Sequence, residues 1–165
     1  MPTELDHDAI KNKIKDILEG NATLYDATGA LGKVRQINVG HPDHKNGLED
    51  VFPSIYVTNS NPLDRIKIAG SITRSSESLS PLLHTFRYKI VLQEKTKGSR
   101  TTEQSLDDFQ KLLLESLEED HQLKNGGSAV VDSSRPESVE TFKNDLNGKS
   151  VQGRIITYLL TKVTN

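Results

Sequence analysis

The sequence predicts an α+β fold: a mixed, mainly antiparallel sheet packed against two amphipathic helices, with one long polar loop. Three observations carry this. Thr85 to Gln93 alternates apolar and polar residues with period two. Thr101 to His121 repeats its apolar residues at three- and four-residue spacing. Arg154 to Val163 closes the chain with a second run of strand character. Strand, helix and strand each expose an apolar face that needs a partner layer, and a helix laid on a sheet satisfies both.

The elements follow in order. Helix one is expected from Glu4 to Glu19, where Ile10, Ile14, Ile17 and Leu18, with Ala9, form one stripe. Thr3 or Asp6 supplies a cap and Gly20 stops it. Residues 21–32 are small and polar. A strand is expected over Lys33–Val39, a turn-rich loop over Gly40–Asp50, and a short strand over Pro53–Thr58. Asn59–Pro81 is rich in Ser, Asn, Thr and charge, and reads as a long functional loop or a protruding hairpin with Ile66 and Ile68 on one arm and Ile72 on the other. The next strand sends Phe86, Tyr88, Ile90 and Leu92 one way and Arg87, Lys89 and Gln93 the other, with Val91 the exception. That is the pattern of a strand with one wet face. Lys95–Arg100 is a basic turn. Helix two opens on a Thr101/Gln104 capping box and carries Glu103, Asp107 and Asp108 in its early turns. Its stripe is Leu106, Phe109, Leu113 and Leu117, widened by Leu112, with Leu114 off centre. After Asn125-Gly126-Gly127 a short strand is expected at Ala129–Val131. Ser133–Gly148 reads as a second polar loop, with room for a short strand near Val139–Phe142. The terminal run is apolar on both faces, as in an interior strand covered on both sides.

Composition bounds the function. The 165 residues suit one domain. The absence of cysteine excludes disulfides, thiolate metal sites and cysteine nucleophiles. The hydrophobic share of 33% without Trp is lean, so part of the chain is loop or part of the core is completed by a partner. A net charge of −2, from 21 basic and 23 acidic residues, argues against a dedicated nucleic-acid binder. The N-terminus lacks the basic and apolar regions of a signal peptide, and no apolar run approaches the ~20 residues of a membrane span. The expectation is a soluble, cytoplasmically made protein; the Asn21-Ala22-Thr23 sequon stands alone against it.

Candidate chemistry is thin. Ala27–Val34 has the glycines of a phosphate loop but puts Ala27 and Val34 where Gly and Ser/Thr are needed, so an ordinary turn fits better. His41-Pro42-Asp43-His44 offers zinc ligands within a flexible-looking turn; its only companion is the distant Asp6-His7-Asp8. The acidic groups Glu118-Glu119-Asp120, Glu49-Asp50 and Asp107-Asp108 are adjacent residues with no sign of burial. Ser75, Ser76, Ser78 and Ser80 lack a nucleophile elbow. Lys95, Lys97 and Arg100, with Arg87 and Lys89, form the only basic cluster; they serve either an acidic partner or edge protection. No catalytic residue, cofactor or metal is expected.

The element order carries a resemblance. Leu83-His84-Thr85-Phe86-Arg87-Tyr88-Lys89-Ile90-Val91-Leu92, the Leu-rich helix ending at Asp120, and Gln152-Gly153-Arg154-Ile155-Ile156-Thr157-Tyr158 follow an N-terminal helix and a Pro-Ser-Ile-Tyr-Val strand. This order resembles the tail terminator and tail-completion proteins of long-tailed bacteriophages and related viruses. The resemblance implies a virion subunit, not an enzyme, that closes the tail tube as a homo-oligomeric ring, typically a hexamer, between tail tube protein and head–tail connector. It implies no cofactor, no membrane and no specific nucleic acid. It makes Asn59–Pro81 the assembly loop and Arg65, Lys67, Arg74, Arg87, Lys89 and Gln93 the assembly surface. Residues 133–150 are longer than that family leads one to expect. A neck or head-completion protein, and a small ligand-binding or enzymatic domain with 59–81 as a lid, are the alternatives.

Overall fold

The computed structural model describes residues 7–28, 32–40, 51–59, 67–69, 82–96, 98–123, 131–146 and 149–164. In chain order these form α1 (His7–Glu19), β1 (Gln36–Val39), β2 (Ser54–Asn59), β3 (Lys67–Ala69), β4 (Leu82–Lys95), α2 (Ser99–Glu119), β5 (Ser133–Leu146) and β6 (Lys149–Thr164). The strands make one mixed sheet in the order β1-β2-β4-β6-β5, with β3 also paired to β4. Only β1–β2 is parallel; the other pairs are antiparallel. The fold is α+β, as the sequence indicates.

Period two decides which residues of the sheet meet the helices. Directly opposed residues share a face, so Ile55 and Leu92, Val57, Ile90 and Ile156, Tyr88 and Tyr158, and Phe86 and Leu160 all point one way. These join Ile10, Ile14 and Leu18 of α1 and Leu106, Phe109, Leu113 and Leu117 of α2 in one buried cluster. Each buried aliphatic or aromatic side chain contributes about 1.5–3 kcal/mol relative to exposure. Both helices therefore lie on the same face of the sheet. His7 seals its edge: its Nδ1 is 2.5 Å from the Tyr88 hydroxyl, and its ring packs edge-on against Phe86.

Several expectations change. The region 133–150, read as loop, holds the 14-residue strand β5 and the start of β6. The strand forms because its backbone pairs with β6 from Ser133↔Thr161 to Leu146↔Lys149, with an irregularity at Pro136/Ser138. An edge strand held by main-chain bonds needs no apolar period. Helix two begins at Ser99, two residues before the expected capping box, and its N-cap Gly98 makes no side-chain cap bond. Thr102 instead donates its hydroxyl to the Gly98 carbonyl at 2.9 Å. The strand over Lys33–Val39 shortens to β1, because Val34 forms an isolated bridge with Tyr25. Ala9 is exposed, outside the α1 stripe.

The wet face of β4 is only partly wet, since Gln93 and Val91 are buried. Cover on both sides of β6 also holds only in part: Leu159 and Val151 are buried, whereas Ile155 and Thr157 are half-buried. Within Asn59–Pro81, Lys67–Ala69 pairs antiparallel with Leu83–Thr85 of β4; residues 60–66 and 70–81, with the loop-or-hairpin question, lie outside the described residues. Ile66 and Ile72, the caps Thr3 and Asp6, and Ala129 and Val130 lie outside the described residues; Val131 is buried.

Candidate assembly surface

The face of the sheet away from the helices is built by the alternate residues. Reading across the strands, Thr58, Lys89 and Thr157 form one row, and Tyr56, Val91 and Ile155 the next. Beyond them Ser54, Gln93 and Gly153 continue to Phe142. No helix among the described residues covers this face. Its centre is largely buried within the chain: Val91 is 4% exposed and Thr58 and Gln93 9%, while Tyr56, Lys89, Ile155 and Thr157 are half-buried. Burial pushes the Tyr56 phenol above its ordinary pKa.

Arg87 is not a lone cation. Its Nε and Nη2 donate to the two carboxylate oxygens of Glu137 at 2.7 and 3.0 Å. The pair spans from β4 to β5 across Leu159, the β6 residue opposite Arg87. The guanidinium thus covers apolar surface and ties the outer strand to the sheet. Lys89, two residues on, is half-buried and has no ion-pair partner among the described residues. Gln93 lies on the same face, four residues further.

Of the six residues expected on the assembly surface, the structure brings together Arg87, Lys89 and Gln93. Lys67 sits on β3, opposite Thr85. Arg65 and Arg74 lie outside the described residues.

A second feature lies on the helix side. α2 runs beside β5 and leaves a groove between them, crossed by the ion pair of Arg154 Nη2 with Asp107 Oδ1 at 2.7 Å. One pocket here, about 300 Å³, is lined by Glu103, Leu106, Thr141, Lys143, Gln152 and Arg154 among others. A separate pocket, about 350 Å³, is lined by Leu114, Glu118, His121, Arg135 and Tyr158 among others. There Ser134 Oγ donates to the His121 carbonyl at 2.7 Å and lies 2.9 Å from the Tyr158 hydroxyl. Burial raises the Tyr158 pKa above its ordinary value, and the Ser134 bond opposes the rise.

The sequence matches no protein-family model and no curated protein sequence. Residue chemistry must therefore speak for itself. Among the described residues no three His, Asp or Glu side chains are placed to hold a metal. The His41–His44 turn and the serines at 75–80 fall outside the described residues. Near the former phosphate-loop candidate, Asp26 accepts from the Thr28 amide at 2.9 Å and hydroxyl at 2.6 Å. Those bonds hold its carboxyl below the usual range. Lys33, the would-be phosphate lysine, donates to the Ala22 carbonyl at 2.6 Å. Asn21 of the sequon ties the two helices, donating its Nδ2 to Ser116 Oγ at 2.6 Å. Lys95 and Arg100 are exposed, and Lys97 lies outside the described residues.

Glu137, Tyr56 and the length of β5, which extends well beyond the short strand expected near Val139–Phe142, are the contributions that sequence reasoning missed. The signal available was weak: Val139 and Phe142 alone, spaced by three in a polar run, do not announce a strand of that length.

Proposed function

We propose that this chain is a virion structural protein that acts by assembly, a tail terminator whose copies form a ring, typically a hexamer, on the end of a tail tube and present the head–tail joining surface. One observation carries the reading: both helices occupy one face of the sheet, and the outermost strand β5 exposes its described side chains from Ser133 to Asp145 except the half-buried Ser134 and Phe142. The element order that resembles tail terminators supports it, now with two helices on a mostly antiparallel sheet. A closed ring needs two different complementary patches on each subunit. The half-buried Lys89 with the Arg87–Glu137 pair, and the exposed outer strand β5, supply two unlike surfaces. In this reading the work is done by contact and no catalytic group is required.

The test combines the purified protein with purified tail tubes and, separately, with connectors. Ring-shaped particles by electron microscopy, a hexamer mass by light scattering, or caps on tube ends are the expected results. Binding to connectors without any effect on tubes would replace the terminator role by that of a neck or head-completion protein. A protein that stays monomeric alone and binds neither would overturn the reading.

A further inference from the structure

We draw no further inference here: the strongest candidate, the mainly apolar pocket of about 350 Å³ between the end of α2 and the start of β5, lined by Leu114, Pro136 and Tyr158 among others, carries nothing because nothing in the structure shows what covers it.

Discussion

Gly153→Ala is the sharpest single test of the sheet's register. Gly153 lies in β6 between Gln93 of β4 and Phe142 of β5. A Cβ at this position would overlap both the Phe142 ring and the backbone carbonyl oxygen of Leu92. A glycine inside a strand commonly marks such a close approach. The two obstacles differ in kind. Phe142 sits on the outermost strand, half-buried, and its ring can swing aside. The Leu92 carbonyl belongs to the central β4–β6 pair and moves only if the ladder moves. Overpacking costs about 1–3 kcal/mol, and the backbone obstacle puts this site near ~3 kcal/mol. For a chain of this length ~1 kcal/mol shifts the melting temperature by about 2–4 °C, so the variant should melt roughly 6–12 °C lower. The assay is thermal and urea unfolding followed by circular dichroism. Phe142→Ala combined with Gly153→Ala separates the obstacles: the double variant should remain at least ~1 kcal/mol below Phe142→Ala alone, because the carbonyl is still there. A Gly153→Ala protein melting within about 1 °C of wild type would refute the placement of β6 between β4 and β5 at this register.

Three other outcomes are expected. Leu113 is fully buried at the centre of the α2 stripe, so Leu113→Ala should cost about 2–5 kcal/mol in urea unfolding; a loss under ~1 kcal/mol would mean the wrong helix face has been assigned. Burial raises the phenol pKa of Tyr56 and Tyr158 above the ordinary value of 10.0. Their neutral forms are favoured in the folded state, so this contribution to stability is complete below about pH 10 and is lost as pH rises through the folded values. Absorbance titration at alkaline pH should show late-ionising tyrosines in the wild type that are missing from the Tyr56→Phe, Tyr158→Phe double variant. Finally, Arg87 and Glu137 side chains are 30% and 37% exposed, so a double-mutant cycle with Arg87→Met and Glu137→Gln should give a coupling of only about 0.5–1 kcal/mol despite the bidentate geometry. Zero coupling would place Glu137 elsewhere.

What the sequence disclosed and what it withheld divide along a physical line. α1, α2 and β4 are elements whose one apolar face is buried, and burial writes itself into the sequence as a period: Ile10, Ile14 and Leu18, or Phe86, Tyr88, Ile90 and Leu92. β5 buries almost nothing. Its residues Ser133 to Leu146 are specified by main-chain pairing with β6, which leaves no period to read. Polarity alone puts Gln93 in water; it is 9% exposed because it sits in an interior strand between Ser54 and Gly153. The Arg87–Glu137 pair joins residues 50 apart in sequence, and only the register with its irregularity at Pro136/Ser138 brings them together. The Gly98 start of α2 was hidden because Thr101 and Gln104 mimic a cap within a helix that has already begun. The three β4 residues chosen for the assembly surface share one face because alternation is local. The place of Lys67 opposite Thr85 depends on a β3–β4 pairing that alternation does not fix.

The economy of β5 argues for a role outside the folded subunit. Ordering a residue costs about 1–2 kcal/mol of backbone entropy, and side-chain burial normally offsets much of it. Along Ser133 to Asp145 only Ser134 and Phe142 are half-buried and the rest are exposed, Val139 leaving a large apolar side chain 41% exposed. Ladder bonds to β6 hold such a strand, but they do not require its length. Its two halves also differ. The first has Pro136, the Pro136/Ser138 irregularity and the Arg87–Glu137 tie, each of which discourages another strand from pairing there. The second, from Val139 to Asp145, has no proline and flanks the groove that holds Gln152. On the ring reading proposed above, a neighbour approaching this edge would be steered toward the second half. Selecting one of several possible edge contacts is what a closed heterologous ring demands, since a slipped contact would propagate as an open filament. On this argument Pro136→Val should leave the subunit folded but broaden its assemblies from a single mass to a distribution including filaments, as seen by light scattering and electron microscopy. A single unchanged mass would show that the first half of β5 has no part in directing assembly.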